Sequence, residues 1–221
     1  MARIERRNGH LRKSLEESPV YNGMSLIIDV IFAGMIWVVT SLPVITIGAS
    51  SAALYYAVTK TIRRGRGNLL KSYFSAFRSN FKQSTLIWLI YILYAAVGIA
   101  DMYAIGLMGL AEGSVLDHIS KLFFVPAAAT LPWVFAFVSR FENTVGGTLK
   151  FVAYLTMRHI GRTLLLVSLF LLCAVIAWLL PQIGWLLPAI CCLAMSYVIE
   201  PVFKAQTENR EDGNADPWYN E

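Results

Sequence analysis

The chain has 221 residues, of which 57% are hydrophobic and 15% charged, with a mean hydropathy of +0.56 and a formal charge of +5. A soluble domain carries about 45–50% apolar and about 25% charged residues, so this composition excludes an ordinary soluble domain. Nor does the positive charge point to nucleic acid, because in a membrane protein Lys and Arg chiefly report orientation.

The apolar residues fall into runs of roughly 16–26, separated by basic connectors, as membrane-spanning helices require. In hydrocarbon each run must satisfy its own backbone hydrogen bonds, which makes helix the expected conformation. The expected fold is therefore all-α: a polytopic bundle of six spans occupying 24–203, with both termini cytoplasmic.

Residues 1–23 are polar and basic, with Arg3, Arg6, Arg7, Arg12 and Lys13 against Glu5, Glu16 and Glu17. They are too long and too charged for the n-region of a signal peptide. The first span is expected at 24–42. Pro43 stops it, since proline disfavours helix in the residue before it and suits a first helical turn. A shorter second span follows at 44–59, where Gly48, Ala49, Ala52 and Ala53 make small-xxx-small pairs that let helix backbones approach. These residues, with Pro43, are the expected packing surface of a hairpin formed with the first span. The remaining spans are expected at 85–110, 119–138, 163–180 and 183–202. Only Pro181 and Gln182 separate the last two, which implies a tight hairpin.

With six spans and a cytoplasmic N-terminus, every Lys and Arg except Lys121 falls inside. If 44–59 did not cross, the basic residues of 1–23 and of 60–82 would fall on opposite faces and the bias would collapse, so six spans with both ends inside are expected. Trp37, Trp178 and Trp185 are expected near the outer boundary and Trp88 near the inner one. Cys173, Cys191 and Cys192 lie inside apolar runs without C-x-x-C spacing, as small apolar side chains.

The connector before the third span carries its own pattern. Leu69, Leu70, Tyr73, Phe74, Phe77 and Phe81 recur at helical spacing, while Lys71, Ser72, Ser75, Arg78, Ser79 and Lys82 take the other face. An amphipathic helix is expected over about 68–83. No acid occurs between Lys60 and Lys82, so Arg63, Arg64 and Arg66 join these aromatics as a candidate contact with lipid headgroups or a partner. The plain alternative is an interfacial helix that supports the third span. Residues 147–160 repeat the pattern faintly: Gly67, Leu70 and Lys71 correspond to Gly146, Leu149 and Lys150 at constant offset. The tail 204–221 is acidic, lacks apolar periodicity, and is expected to be disordered in the cytosol.

Chemistry is sparse. No phosphate-binding G-x-x-x-x-G-K-[ST], no H-E-x-x-H and no G-x-S-x-G occurs. His10, His118 and His159 are isolated and lie outside the spans. No catalytic residue, metal or cofactor is expected, and the chain is read as a non-enzyme. Three acids lie in or near spans: Asp29, Asp101 and Glu200. Each charge in hydrocarbon costs at least about 2.5–3.5 kcal/mol. Interfacial or ion-paired roles are expected, with Arg140 or Arg162 as inner partners.

Ser41-Leu-Pro-Val-Ile-Thr-Ile-Gly-Ala-Ser50, then Ala53-Leu-Tyr-Tyr56, then Phe77 to Gln83 before a Trp-containing span, resemble the YesL-like membrane proteins. This bacterial domain-of-unknown-function family is common in Gram-positive bacteria. The resemblance covers about 19–95, and beyond it only the span layout agrees. Genes of the family commonly neighbour those for carbohydrate-binding proteins and ABC-class importer permeases. The resemblance thus implies a multi-pass protein of the bacterial cytoplasmic membrane, linked to uptake of sugars or oligosaccharides. Its expected role is an accessory subunit, with the lipid bilayer and importer permease subunits as partners. It supplies no catalytic residues. No E-A-A-x-x-x-G coupling motif is present, so the chain is not itself such a permease. The alternative is an independent small-solute transporter or channel, suggested by the Pro-interrupted hairpin at 41–50. A lipid-modifying membrane enzyme ranks third, because no nucleophile–base pair can be assembled.

Overall fold

The computed structural model describes residues 19–107 and 114–208. Most of the basic N-terminal segment, most of the acidic tail and the end of the expected third span lie outside the described residues. Among the described residues there are seven α-helices and no strand: α1 (Pro19–Ser41), α2 (Ile47–Ala57), α3 (Leu69–Leu107), α4 (Val115–Val138), α5 (Val145–Arg158), α6 (Ile160–Leu179) and α7 (Leu187–Glu208). By length and composition, α3, α4, α6 and the 187–206 part of α7 can cross a membrane, and 26–41 of α1 is a shorter apolar helix. The described residues are all-helical, and the chain is a multi-pass membrane protein.

The connector helix and the third span are not separate elements. They are one helix of 39 residues, α3. No Gly or Pro occurs between Leu69 and Val97 to interrupt the backbone ladder. At roughly 1.5 Å per residue α3 is about 58 Å long, nearly twice the ~30 Å of a hydrocarbon core.

The expected second span, 44–59, is built of three kinds of helical turn and runs on to Arg63. Pro43 starts a 3-10 turn at Val44–Thr46, the 11-residue α2 follows, and a π-turn at Val58–Arg63 ends it. Helix α2 is the centre of the bundle and touches α1, α3, α4 and α7. Ala49, Ala52, Ala53 and Ala57 are fully buried. Small side chains let four helices converge on one short one.

Gly48 makes its closest approach to α3 and α4 rather than to α1, which corrects the expected hairpin partner. A Cβ there would lie 2.5 Å from the Ser84 carbonyl oxygen and 2.6 Å from the Trp88 Cβ. Contact between α1 and α2 instead runs through Val30, Ala33 and a Trp37–Ser51 hydrogen bond of 3.3 Å.

Trp88 also departs from expectation. Its indole N–H donates to the Val44 carbonyl at 2.8 Å, and Trp88, Trp37 and Gly184 line one cavity. Trp88 therefore stands with the Pro43 and Pro181 turns rather than at the opposite end of the bundle. Because α3 begins at Leu69, it has already climbed about 28 Å by Trp88.

The second half of α3 pairs with α4. Tyr94 stacks on Phe123 with ring centroids 4.1 Å apart, and Tyr91 shares a 2.7 Å hydrogen bond with Thr130. Ser114 caps α4 by accepting the Asp117 N–H. Helix α5 is the fainter second amphipathic segment, and Thr144 caps it by accepting from the Gly147 N–H. A 3-10 turn at Pro181–Ile183 closes the tight α6–α7 hairpin, as predicted.

Candidate functional site

Three charges, Arg64, Arg140 and Glu200, meet at one point between the helices. Arg140 follows the C-terminus of α4, and Glu200 sits in α7 beside Pro201. Their side chains form an ion pair and are 2% and 4% exposed. Tyr55 of α2 donates its hydroxyl to the other carboxylate oxygen of Glu200 at 3.2 Å. Arg64 adds a second guanidinium at 3.5 Å. One carboxylate thus receives partners from α2, from the end of α4 and from the loop before α3. A buried charge is tolerated only when it is paired and hydrogen-bonded, and Glu200 is both.

Arg63 and Arg64 were expected at the surface. Arg64 instead turns inward to Glu200, and Arg63 grips the same helix: it donates to the Ser196 carbonyl at 2.7 Å and lies 4.7 Å over the Tyr197 ring. The widened π-turn at Val58–Arg63 carries both residues toward α7. Arg66 is half-buried, and its backbone N–H bonds the Lys60 carbonyl.

The other two acids lie elsewhere. Asp101 is exposed near the far end of α3 and accepts the Ser120 hydroxyl. Asp29 is half-buried in a cleft of about 610 Å³ beside Thr61, Gly65 and Asn68. The three carboxylates do not form a relay.

The aromatic strip of α3 divides in two. Tyr73 is fully buried, which corrects its assignment as a contact surface. Its hydroxyl shares a 2.6 Å hydrogen bond with Thr40 and donates to the Ser50 carbonyl at 3.4 Å. Phe77 is half-buried and stacks on Tyr73. Leu70, Phe74 and Phe81 remain 46%, 52% and 37% exposed. The reason is angular. Leu69, Tyr73, Ala76, Ser84 and Ile87 are the buried side of α3, leaving positions 70, 74 and 81 on its flank. Exposed Lys71, Arg78 and Lys82 lie beside them.

Two further features carry chemistry. A polar pocket of about 370 Å³ lies where α3 meets the end of α4, with Ser79, Asn80, Ser139 and Arg140 in its wall. Gln83 closes its rim by donating to the Asn143 carbonyl at 2.9 Å and to Thr148 at 3.0 Å. A larger apolar cavity lies between α1, α2, α4, α6 and α7 and includes all three cysteines. Among the described residues no three His, Cys, Asp or Glu side chains assemble into a metal site.

Sequence reasoning singled out Glu200 and left Arg140 and Arg162 as alternative partners, of which the structure pairs Arg140 with it. It missed Tyr55, whose only signal was a polar tip inside a run of alanines. No curated protein and no solved structure matches the chain. Residues 30–102, from within α1 almost to the end of α3, match the model of a family described as a protein of unknown function, DUF624, in agreement with the YesL-like resemblance.

Proposed function

We propose that this protein is a non-catalytic accessory subunit of an ABC-type carbohydrate or oligosaccharide importer in the bacterial cytoplasmic membrane, assisting assembly, stability or regulation. The observation that carries an accessory role is the flank of α3, where Leu70, Phe74 and Phe81 stay exposed beside Lys71, Arg78 and Lys82. A few aromatic anchors carry most of the energy of a docking surface. The choice of an importer permease as partner rests on the YesL-like resemblance. Affinity purification from native membrane tests it: permease and solute-binding subunits are expected to co-purify. Their consistent absence, with the protein intact, overturns the reading.

The topology we propose has six spans and two cytoplasmic ends. Helix α1 has 23 residues, about 34 Å, and helical turns run unbroken from Val44 to Arg63. Either could cross the ~30 Å core. Charge alone does not decide the matter, because the same partition of Lys and Arg results if neither α1 nor 44–63 crosses. The shared position of the two hairpin turns favours crossing. Gly34 packs on the Trp185 carbonyl, and Trp37 and Gly184 line one cavity.

The transporter alternative has less support. The cavity between the spans is apolar, and its indole and phenol donors are already engaged.

A further inference from the structure

The apolar cavity has a volume of about 420 Å³ and is only partly enclosed. Its walls come from α1, α2, α4, α6 and α7, with Trp88 of α3 at one edge. Its shape is set by small residues, since Ala174, Ala177 and Gly184 leave room that larger side chains would fill. An apolar space of roughly 150 Å³ already takes up benzene. This one is nearly three times as large, and its empty lining would forfeit dispersion contacts.

The chemistry of the lining narrows the occupant. Trp88 donates to the Val44 carbonyl at 2.8 Å, Trp37 to Ser51 at 3.3 Å, and Tyr55 to Glu200 at 3.2 Å. Apart from the Ser51 hydroxyl, which accepts from Trp37, the remaining wall is Leu, Ile, Phe, Pro, Ala, Gly, Met and three thiols. A sugar or other polyol brings many hydroxyls and would leave most of them unpaired, at the cost of desolvating each one. The occupant is therefore a hydrocarbon. Phe170 and Ala174 of the α6 wall are exposed, and α6 is apolar enough to cross the bilayer, so on this helix the cavity borders acyl chains rather than water.

We propose that this cavity is a binding site for one acyl chain of a membrane phospholipid. The chain lies between α4 and the α6–α7 hairpin, against Phe135, Phe170, Cys173 and Met195. It acts as a packing element that completes the bundle.

The test uses the intact protein in vesicles of phosphatidylglycerol and phosphatidylethanolamine, with a phosphatidylglycerol probe carrying a diazirine in its acyl chain. After irradiation, adducts are expected on buried cavity residues such as Cys191 or Met195. Adducts confined to outward positions of α6, such as Leu172 and Val175, overturn the proposal. So does labelling of the cavity by a diazirine fatty acid but not by the phospholipid probe. A second arm counts phospholipid retained through detergent purification. Ala177→Phe fills the cavity and is expected to lower retention at least fivefold relative to wild type and to Leu172→Phe, which faces outward. Equal retention in all three overturns the proposal. If Ala177→Phe does not fold, photolabelling of the wild type decides alone.

Discussion

Arg140 and Glu200 are 60 residues apart in sequence and meet as an ion pair with side chains 2% and 4% exposed. Through Tyr55 and Arg64 the same carboxylate reaches α2 and the loop before α3. Removing one partner of a buried pair costs up to about 3–5 kcal/mol, of which Arg64, 3.5 Å from the same carboxylate, offsets a part. Arg140→Met is therefore expected to lower thermal stability in detergent sharply. Arg140→Leu/Glu200→Leu removes both charges and is expected to be less damaging than Arg140→Met alone. A double variant worse than the single one would show that the pair itself, not charge balance, holds these helices.

Gly48 tests the central packing. A methyl group there meets the Ser84 carbonyl and Trp88, both on the wall of α3. Overpacking of this kind costs about 1–3 kcal/mol. Gly48→Ala is expected to lower folded yield and melting temperature. Gly106→Ala, where nothing lies within 4 Å, is expected to leave both unchanged or slightly raised. Equal melting temperatures for the two variants would mean that α2 and α3 can separate without penalty.

Two neighbouring aromatics on α3 are expected to behave differently. Tyr73→Phe deletes a buried hydroxyl bonded to Thr40 and Ser50, and is expected to cost about 0.5–1.5 kcal/mol. Phe74→Ala is exposed and is expected to stay within about 0.5 kcal/mol of wild type. Thermal unfolding of the purified proteins measures both. A large loss in Phe74→Ala would show that this side chain supports the fold rather than a partner.

Orientation is checked by single cysteines in a background where Cys173, Cys191 and Cys192 are alanine. Six spans predict that cysteines at Leu42 and Val115, both well exposed, react with an impermeant thiol reagent in intact cells. A cysteine at Gly67 is expected to react only after permeabilisation. Labelling at Val115 without Leu42 would mean that α1 and 44–63 turn back without crossing.

The class of fold was legible because hydrocarbon imposes it: apolar runs of sufficient length must be helical. That Glu200 needs a cation was legible for a similar reason, since an acid at the end of an apolar run demands one, but the choice of Arg140 over Arg162 was not. The continuity of α3 was hidden, because a change from amphipathic to wholly apolar composition at residue 84 reads as a boundary although nothing there breaks the helix. The inward turn of Arg63 and Arg64 was hidden too, since a π-turn has no sequence signal of its own. The burial of Tyr73 depended on which 3.6-residue stripe α2 would choose, and both stripes carry aromatics.

The central claim is that the exposed flank of α3 docks an importer subunit. The most direct measurement is site-specific photocrosslinking from Phe74 and Phe81 in native membrane, each replaced in turn by a photoreactive phenylalanine analogue. The account predicts adducts with an importer permease subunit from both positions, and none from a control at Leu172 on the outward side of α6. Adducts with lipid alone from Phe74 and Phe81, in protein that is fully inserted and folded, would contradict it.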